Sequence, residues 1–220
     1  GVGVGAAWKA AEVEEGSTVA IFGLGAVGLA VAEGARMRGA SKIIGVDLNA
    51  DKFELGKQFG LTDFINPTTI GDKRVSEVIS SSISMEMGLP TYIYVIKEMT
   101  DGGADYCFEC IGLASLMAEA FSSSREGWGK TVIVGIEMHG SPLVVSPYEI
   151  IRGRSICGTY FGGLKPKTHI SLLAKKYLDK ELNLDPFITH EVGLKDINRA
   201  FELLAEGQSL RCLIWMDGCK

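Results

Sequence analysis

The sequence predicts an α/β fold built on a doubly wound parallel sheet with helices on both faces, followed by a shorter α+β segment. Apolar runs of strand length alternate with segments of helical periodicity between residues 18 and 134. Gly23, Gly39 and Gly60 stand where such elements would end. Because alternating strands and helices form right-handed crossover units, we expect these strands to lie parallel to one another.

Five strands and three helices are predicted in this first region. The first strand is the apolar run Thr18-Val19-Ala20-Ile21-Phe22, which reads as a strand buried on both faces. Further strands are predicted over residues 43–47, 63–65, 104–109 and 130–134. Helical spacing of apolar residues predicts helices over residues 26–38, 52–59 and 113–122.

After Gly135 the alternation becomes irregular, which indicates the shorter α+β segment. Strands are predicted over residues 143–145, 155–160, 186–192 and 210–216, and helices over residues 167–179 and 194–205.

One stretch breaks the pattern of the first region. A helix is predicted to start at residues 74–79, but Ser80-Ser81-Ser82 and Pro90 follow, and helical periodicity is lost. We therefore interpret residues 80–96 as an irregular insertion.

Composition excludes several classes of protein. A formal net charge of −5 argues against a protein that coats nucleic acid. No apolar run approaches the roughly 20 residues that span a bilayer, and no signal peptide is visible. Five scattered cysteines do not form a secreted disulfide framework. We expect a cytoplasmic protein with neither nucleic acid nor membrane as a partner.

The run Gly23-Leu24-Gly25-Ala26-Val27-Gly28 is a G-x-G-x-x-G motif that leaves the first strand and opens the first helix. In that context Gly23 permits a tight turn, Gly25 lets the backbone approach a pyrophosphate, and Gly28 allows close packing of helix and strand. A pyrophosphate would meet the unpaired N–H groups and positive end of the helix. The motif therefore predicts a Rossmann domain that binds a dinucleotide.

Asp47 ends the second strand 19 residues after Gly28, where a carboxylate accepts hydrogen bonds from the adenosine ribose. Leu48 and Asn49 follow it, with no adjacent arginine to hold a 2′-phosphate, so NAD(H) is favoured over NADP(H). Domains that bind a flavin or S-adenosylmethionine also use glycine-rich first turns and remain alternatives.

Several further motifs carry a resemblance to one enzyme family. They are the glycine-rich turn with Val19-Ala20-Ile21-Phe22 before it, Ile44-Gly45-Val46-Asp47, Met99-Thr100-Asp101-Gly102-Gly103-Ala104-Asp105, Gly158-Thr159-Tyr160-Phe161-Gly162-Gly163, Phe187-Ile188-Thr189-His190 and Leu210-Arg211-Cys212. Together they closely resemble the zinc-dependent medium-chain alcohol dehydrogenases, and within that family the plant alcohol-dehydrogenase-like members. The resemblance covers nearly the whole chain except the stretch near residues 80–96.

The resemblance implies a set of residues that contact NAD(H). Asp47 and Lys52 would bind the adenosine ribose, and Arg211 the pyrophosphate. Val27 would pack near the nicotinamide, with Val134, Ile136 and the backbone of Phe161 around its carboxamide. The full expected set is Gly23, Leu24, Gly25, Ala26, Val27, Gly28, Asp47, Lys52, Ile111, Val134, Gly135, Ile136, Phe161 and Arg211.

The resemblance also implies a division of the chain and the loss of a metal site. Residues 1–161 would be the NAD-binding Rossmann domain, and residues 162–220 a remnant of the GroES-like catalytic domain. In the family the catalytic zinc ligands lie in the N-terminal half, so the chain would begin just after the last zinc cysteine. Cys107 and Cys110 are spaced C-x-x-C, but three residues along a strand point to opposite faces. We expect no metal site and no catalytic residue here.

Two hypotheses about function follow. In the first, the chain is the NAD(H)-binding portion of an oxidoreductase that converts an alcohol to an aldehyde or ketone in a zinc-containing parent. In the second, it is a truncated, non-catalytic nucleotide-binding module or a fragment that arises from incorrect gene prediction. We expect the isolated chain to lack alcohol dehydrogenase activity. The family also implies a homodimer formed through the Rossmann domain, with residues 143–145 as its edge strand.

Overall fold

The computed structural model describes residues 1–70 and 89–216. The chain divides into two compact units, of which one runs from Gly1 to Ser171 and the other begins at Leu172. The boundary between residues 161 and 162, which rests on the resemblance, stays a prediction. No helix within the described stretches is long and apolar enough to cross a membrane.

The first unit contains a six-stranded sheet in which every pairing is parallel. Its strands lie in the order β3-β2-β1-β4-β5-β6. The prediction of a doubly wound parallel sheet is confirmed. The strands are β1 (Thr18–Phe22), β2 (Lys42–Val46), β3 (Asp63–Ile65), β4 (Tyr106–Glu109), β5 (Lys130–Ile133) and β6 (Ser155–Gly158).

Helices connect the strands of the first unit. They are α1 (Val2–Gly5), which continues as a π-helix (Ala6–Ala11), then α2 (Ala26–Met37), α3 (Asp51–Lys57), α4 (Thr91–Met99), α5 (Ala114–Ser123), α6 (Pro147–Ile151) and a 3₁₀ turn (Phe161–Gly163); α7 (Pro166–Leu178) follows. Residues of β1, β2 and α4 share one buried cluster that includes Phe22, Ile44 and Ile93. Burial on both sides explains why the central strands are apolar without alternation.

The glycine-rich N-terminus forms a helix that the sequence analysis did not predict, because glycine is a poor helix former. Close packing explains it. A Cβ on Gly3 would lie 2.3 Å from the carbonyl oxygen of Val27, and one on Gly34 would lie 2.9 Å from that of Val4. The helices α1 and α2 therefore approach to backbone contact, which only glycine at these two positions permits.

The interpretation of residues 80–96 as an irregular insertion is wrong for its last part. Residues 80–88 and the helix start predicted at 74–79 lie outside the described residues. Thr91 to Met99, however, form α4, which begins directly after Pro90. Proline is tolerated there because the first turn of a helix needs no N–H donor from it. Burial of Tyr92, Ile93 and Ile96 stabilises the helix despite its β-branched residues.

The strand predicted over residues 143–145 is also wrong. The chain has no regular structure at these positions, and Val144 is 75% exposed. A strand needs a neighbour for its backbone hydrogen bonds, and no strand in residues 1–70 or 89–216 pairs with this segment. The sequence pattern indicated a strand, but a local pattern does not show that the described residues supply no partner for it.

The second unit contains a two-stranded parallel sheet of β7 (Ile188–Gly193) and β8 (Arg211–Trp215). Ala200 and Leu203 of α8 (Ile197–Ala205) are buried. Short 3₁₀ turns, Asp185–Phe187 and Leu194–Asp196, replace the first residues of the strand and helix predicted here. The Thr189 hydroxyl accepts a hydrogen bond from the Leu210 N–H at 3.0 Å and so joins the starts of both strands.

Asp105 joins β1 and β4 at their N-terminal ends. One carboxylate oxygen accepts hydrogen bonds from the backbone N–H and the hydroxyl of Thr18, both at 2.8 Å. The other accepts from Nε1 of Trp128 at 2.8 Å and lies 3.3 Å from Arg125. Burial raises the pKa of Asp105, but the bonds from Thr18 and Trp128 and the charge of Arg125 outweigh it and lower the pKa.

We predict that Asp105→Asn lowers the free energy of unfolding by about 1 kcal/mol at pH 7, a value reduced for the partial exposure of the group. Because the folded pKa is lowered, the stabilisation by Asp105 is complete above the unfolded value of about 4. It is lost as the pH falls through the folded value. Urea unfolding of both proteins between pH 7 and pH 2 should therefore show the difference closing at low pH; a constant difference would contradict this account.

Candidate functional site

The candidate site lies where the strand order reverses, between β1 and β4. From β1 the sheet continues through β2 and β3 on one side and through β4 and β5 on the other, so the connections leave in opposite directions. In open parallel sheets this reversal opens a crevice at the carboxyl ends of the strands, where ligands bind. Most of the predicted site residues directly follow β1, β2, β4 or β5.

The glycine-rich turn connects β1 to α2 with the backbone packed tightly. Gly23 has a φ of 92°, in the region that favours glycine, and its N–H donates to the carbonyl of Val46 at 2.8 Å. A Cβ on Gly28 would lie only 1.8 Å from the carbonyl oxygen of Gly23. The helix can therefore start directly over the end of the strand.

Gly25 differs from Gly23 and Gly28, the other two glycines of the motif. It is the N-cap residue of α2, and a Cβ built there would meet no atom within 4 Å. No side chain caps this helix end, so the N–H groups of the first turn, at Ala26, Val27 and Gly28, have no partner within the helix. Open space in front of unpaired N–H groups at the positive end of a 12-residue helix fits a bound anion.

Asp47 connects the end of β2 to the glycine-rich turn. One oxygen of its carboxylate accepts a hydrogen bond from the Leu24 N–H at 2.8 Å, and the other accepts from the Asn49 N–H at 2.9 Å. Lys52 forms an ion pair with it at 2.9 Å. The Asp47 side chain is about 10% exposed and that of Lys52 30%, so both reach the surface of the crevice. The structure thus brings together two residues that the resemblance assigned to one ribose.

A cleft of about 410 Å³ opens beside Asp47 and Lys52. Its walls are largely apolar and its polar side chains beyond that pair are Tyr92 and Glu119. The sequence analysis identified Ile111 but missed most of the lining. The apolar lining includes Val46, Leu48, Pro67, Ile111, Leu113 and Leu116.

The opposite wall of the crevice follows β4 and β5. One oxygen of the buried Glu109 accepts from the N–H groups of Ile111 and Gly112, at 2.9 and 2.7 Å. The Glu109 carbonyl accepts from the N–H groups of Val134 and Gly135, both at 2.9 Å. Glu109 therefore holds the Ile111 and Val134 loops side by side. No sequence motif singled out this residue, although an acidic residue that ends an apolar strand was the available signal.

Glycines let these two loops meet at backbone contact. A Cβ on Gly135 would lie 2.3 Å from the Gly112 nitrogen, and one on Gly112 would lie 2.4 Å from the carbonyl oxygen of Ile136. The side chains of Ile111 and Ile136 are 48% and 77% exposed. Two exposed isoleucines on a rigid backbone give this wall an apolar surface.

The two remaining predicted residues lie farther along the chain. Phe161 has a φ of 57° and starts the 3₁₀ turn after β6. Arg211 is in the second unit, where it begins β8 and donates to the Leu210 carbonyl at 2.7 Å. Its contact with a pyrophosphate stays a prediction.

The described residues do not fit a zinc site. Within residues 1–70 and 89–216, no group of three or more histidine, cysteine, aspartate or glutamate side chains could hold a metal ion. Cys107 lies in β4 and Cys110 follows it, and burial raises the pKa of both thiols. Since the thiolate is the form that binds metals, these cysteines are poor ligands where they stand.

Comparison with known proteins gives one family and relatives that extend beyond this chain. The model of a family described as zinc-binding dehydrogenase matches residues 26–176. Alcohol dehydrogenase-like 1 of Arabidopsis thaliana is 62% identical over 215 residues, which are 98% of this chain and 51% of that protein. The class-3 alcohol dehydrogenase of Oryza sativa subsp. japonica is 46% identical, with 98% and 52% covered. The chain therefore spans about half the length of these relatives.

A solved structure shows the same fold. Benzyl alcohol dehydrogenase from Acinetobacter calcoaceticus superposes with a TM-score of 0.82 at 28% identity, over 97% of this chain and 53% of that one.

The glycine geometry predicts losses of stability of different size for two similar substitutions. Gly28→Ala would place a methyl group 1.8 Å from the Gly23 carbonyl, so we expect it to lower the free energy of unfolding by about 3 kcal/mol or more. Gly25→Ala meets open space and should cost no more than about 1 kcal/mol, the effect of alanine at an N-cap. Chemical denaturation measures both; equal losses would contradict the packing described here.

Proposed function

The chain belongs to the zinc-binding dehydrogenase family, and from that premise we propose that it is the NAD(H)-binding portion of an alcohol-dehydrogenase-like oxidoreductase. One observation carries the proposal. The glycine-rich turn before the uncapped N-terminus of α2 is hydrogen-bonded to Asp47, at the point where the strand order reverses. A pyrophosphate suits an uncapped helix N-terminus, and a ribose suits a carboxylate beside it.

The parts of the dinucleotide map onto the described residues. The N–H groups at the start of α2 would bind the pyrophosphate, and Asp47 with Lys52 the adenosine ribose. The apolar cleft beside that pair would hold the adenine. The exposed side chain of Ile136, with Val27, Val134 and the backbone near Phe161, would surround the nicotinamide, whereas Ile111 lines the adenine cleft.

The carboxylate of Asp47 supports a preference for NAD(H). It already accepts two backbone hydrogen bonds and an ion pair, which hold it at the crevice in one orientation. A ribose 2′-hydroxyl donates to such a group, whereas a 2′-phosphate would be repelled by its charge. Asn49 rather than an arginine follows two residues later, so compensation for the phosphate charge is weak.

The chemistry of the reaction belongs to the cofactor, which when bound accepts or donates a hydride. The residues of this chain bind it, orient it and present an apolar wall on one side of it. Oxidation of an alcohol to an aldehyde or ketone is our proposal for the whole protein; this chain spans about half the length of its relatives. Because the described residues offer no set of ligands for zinc, we derive no step through that metal.

A non-catalytic nucleotide-binding module is the second candidate function. The thiols of Cys107 and Cys110, whose pKa is raised, favour it because a protonated thiol is a poor metal ligand. Both candidates require the same cofactor site, and under both the isolated chain is expected to lack alcohol dehydrogenase activity. They differ in whether the chain acts as part of a longer zinc-containing oxidoreductase.

We also propose that the chain forms a homodimer and resides in the cytoplasm. Leu143 and Val144 are exposed apolar residues, which suits contact with a second copy, and sedimentation equilibrium measures that association. Cys107, Cys110, Cys157 and Cys212 are free thiols, which suits a reducing compartment.

The cofactor assignment predicts a specific pattern of affinities. Isothermal calorimetry of the purified chain should give saturable binding of NADH and binding of NADPH that is at least about tenfold weaker. Asp47→Ala should weaken NADH binding and reduce the difference between the two cofactors, because the group that distinguishes them is gone.

Glu54→Gln on the neighbouring helix α3 is the control, since Glu54 is an exposed carboxylate paired with Lys57. It should leave both affinities unchanged. No NADH binding by a chain that circular dichroism shows to be folded would overturn the proposed function.

A further inference from the structure

Besides Asp47 and Lys52, two polar side chains line the largely apolar cleft. Tyr92 is on α4 and Glu119 is on α5, and the Tyr92 hydroxyl donates a hydrogen bond to Oε2 of Glu119. Tyr92 is only 7% exposed, and its ring packs against that of Phe22 with centroids 6.2 Å apart. The tyrosine is therefore fixed, and it fixes the position of the carboxylate.

Glu119 places a carboxylate in the wall of a largely apolar cleft. Burial raises the pKa of Glu119, which shows that its surroundings solvate the charge poorly. The hydroxyl of Tyr92 occupies one acceptor position, whereas a carboxylate offers about four. The remaining acceptor positions are available to a ligand in the cleft, whose wall includes Leu113, Leu116 and Pro67. A ligand that fills the cleft would gain most by presenting an N–H donor to Glu119.

The proposed cofactor presents such a donor. With the ribose at Asp47 and Lys52, the attached purine enters the adjoining apolar cleft, and its six-membered ring lies on the side away from the ribose. In adenine that ring carries the exocyclic 6-amino group, which donates hydrogen bonds. In a 6-oxopurine the same position is a carbonyl, which only accepts them.

We propose that Glu119, positioned by Tyr92, accepts a hydrogen bond from the 6-amino group of adenine and makes this site select adenine over 6-oxopurine dinucleotides. The inference rests on the proposed function and assigns the base specificity of the same site. With a 6-oxopurine, two acceptors would face each other in a poorly solvated space. Sites that hydrogen-bond an N–H or O–H group of a ligand discriminate against analogues that lack it.

The test compares NADH with reduced nicotinamide hypoxanthine dinucleotide, whose base has a 6-oxo group and an N1–H in place of the 6-amino group and bare N1 of adenine. Isothermal calorimetry on the full 220-residue chain should give an affinity for NADH at least about tenfold higher than for the analogue. In Glu119→Gln the ratio should fall to within about twofold of one, because the amide can also donate to the 6-oxo group. Glu119→Leu should bring the ratio near one through the loss of the acceptor.

Tyr92→Phe separates positioning from direct contact. It removes the hydroxyl but keeps the ring packed on Phe22, so the carboxylate loses only its restraint. We expect a ratio between those of wild type and Glu119→Leu. Glu54→Gln is again the matched control, and its ratio should equal that of wild type.

The alternative is that Tyr92 and Glu119 only tie α4 to α5. That role would lower thermal stability in all three variants without changing the ratio of affinities. The inference would be overturned if wild type bound NADH and the analogue equally, or if the ratio of affinities were unchanged in Glu119→Gln and Glu119→Leu. The proposed function would still stand, because NADH binds in either case. Failure of wild type to bind either dinucleotide would overturn both.

Discussion

The contact between Gly28 and the carbonyl of Gly23 is the constraint on which the rest of the site depends. A side chain at Gly28 would lie 1.8 Å from that oxygen, so only glycine allows α2 to start directly over the end of β1. That placement leaves the first N–H groups of the helix facing open space at Gly25. It also brings the Leu24 N–H to the carboxylate of Asp47, 23 residues away along the chain. The positions of the helix N-terminus and of Asp47 at the crevice thus both follow from the close approach of Gly28 to Gly23.

The elements around this contact could be predicted from sequence because their signals are local. The apolar run of β1, the spacing of Gly23, Gly25 and Gly28 and the acid at the end of β2 lie within 30 residues of one another. The helix α4 could not be predicted, since its β-branched residues are poor helix formers and its stability comes from burial of Ile93 and Ile96. Periodicity reports local preference, and tertiary packing overrides it here.

The cleft beside Asp47 was missed for a related reason. Its lining comes from segments as distant as Pro67, Tyr92 and Glu119, which meet only because the sheet order places β4 next to β1. No motif connects these positions, and one of them lies in the stretch that looked irregular. The prediction of a strand at residues 143–145 was wrong for the opposite reason. Its local pattern is present, but the described chain supplies no partner for it.

The central claim is that the start of α2 binds the phosphates of a dinucleotide, and amide chemical shifts test it most directly. In a titration of the nitrogen-15-labelled 23.6 kDa chain with NADH, we expect the largest saturable shifts at the amides of Gly25, Ala26, Val27 and Gly28, with a further shift at Leu24 through Asp47. Saturable binding that leaves those amides unmoved would place the cofactor elsewhere and contradict the account.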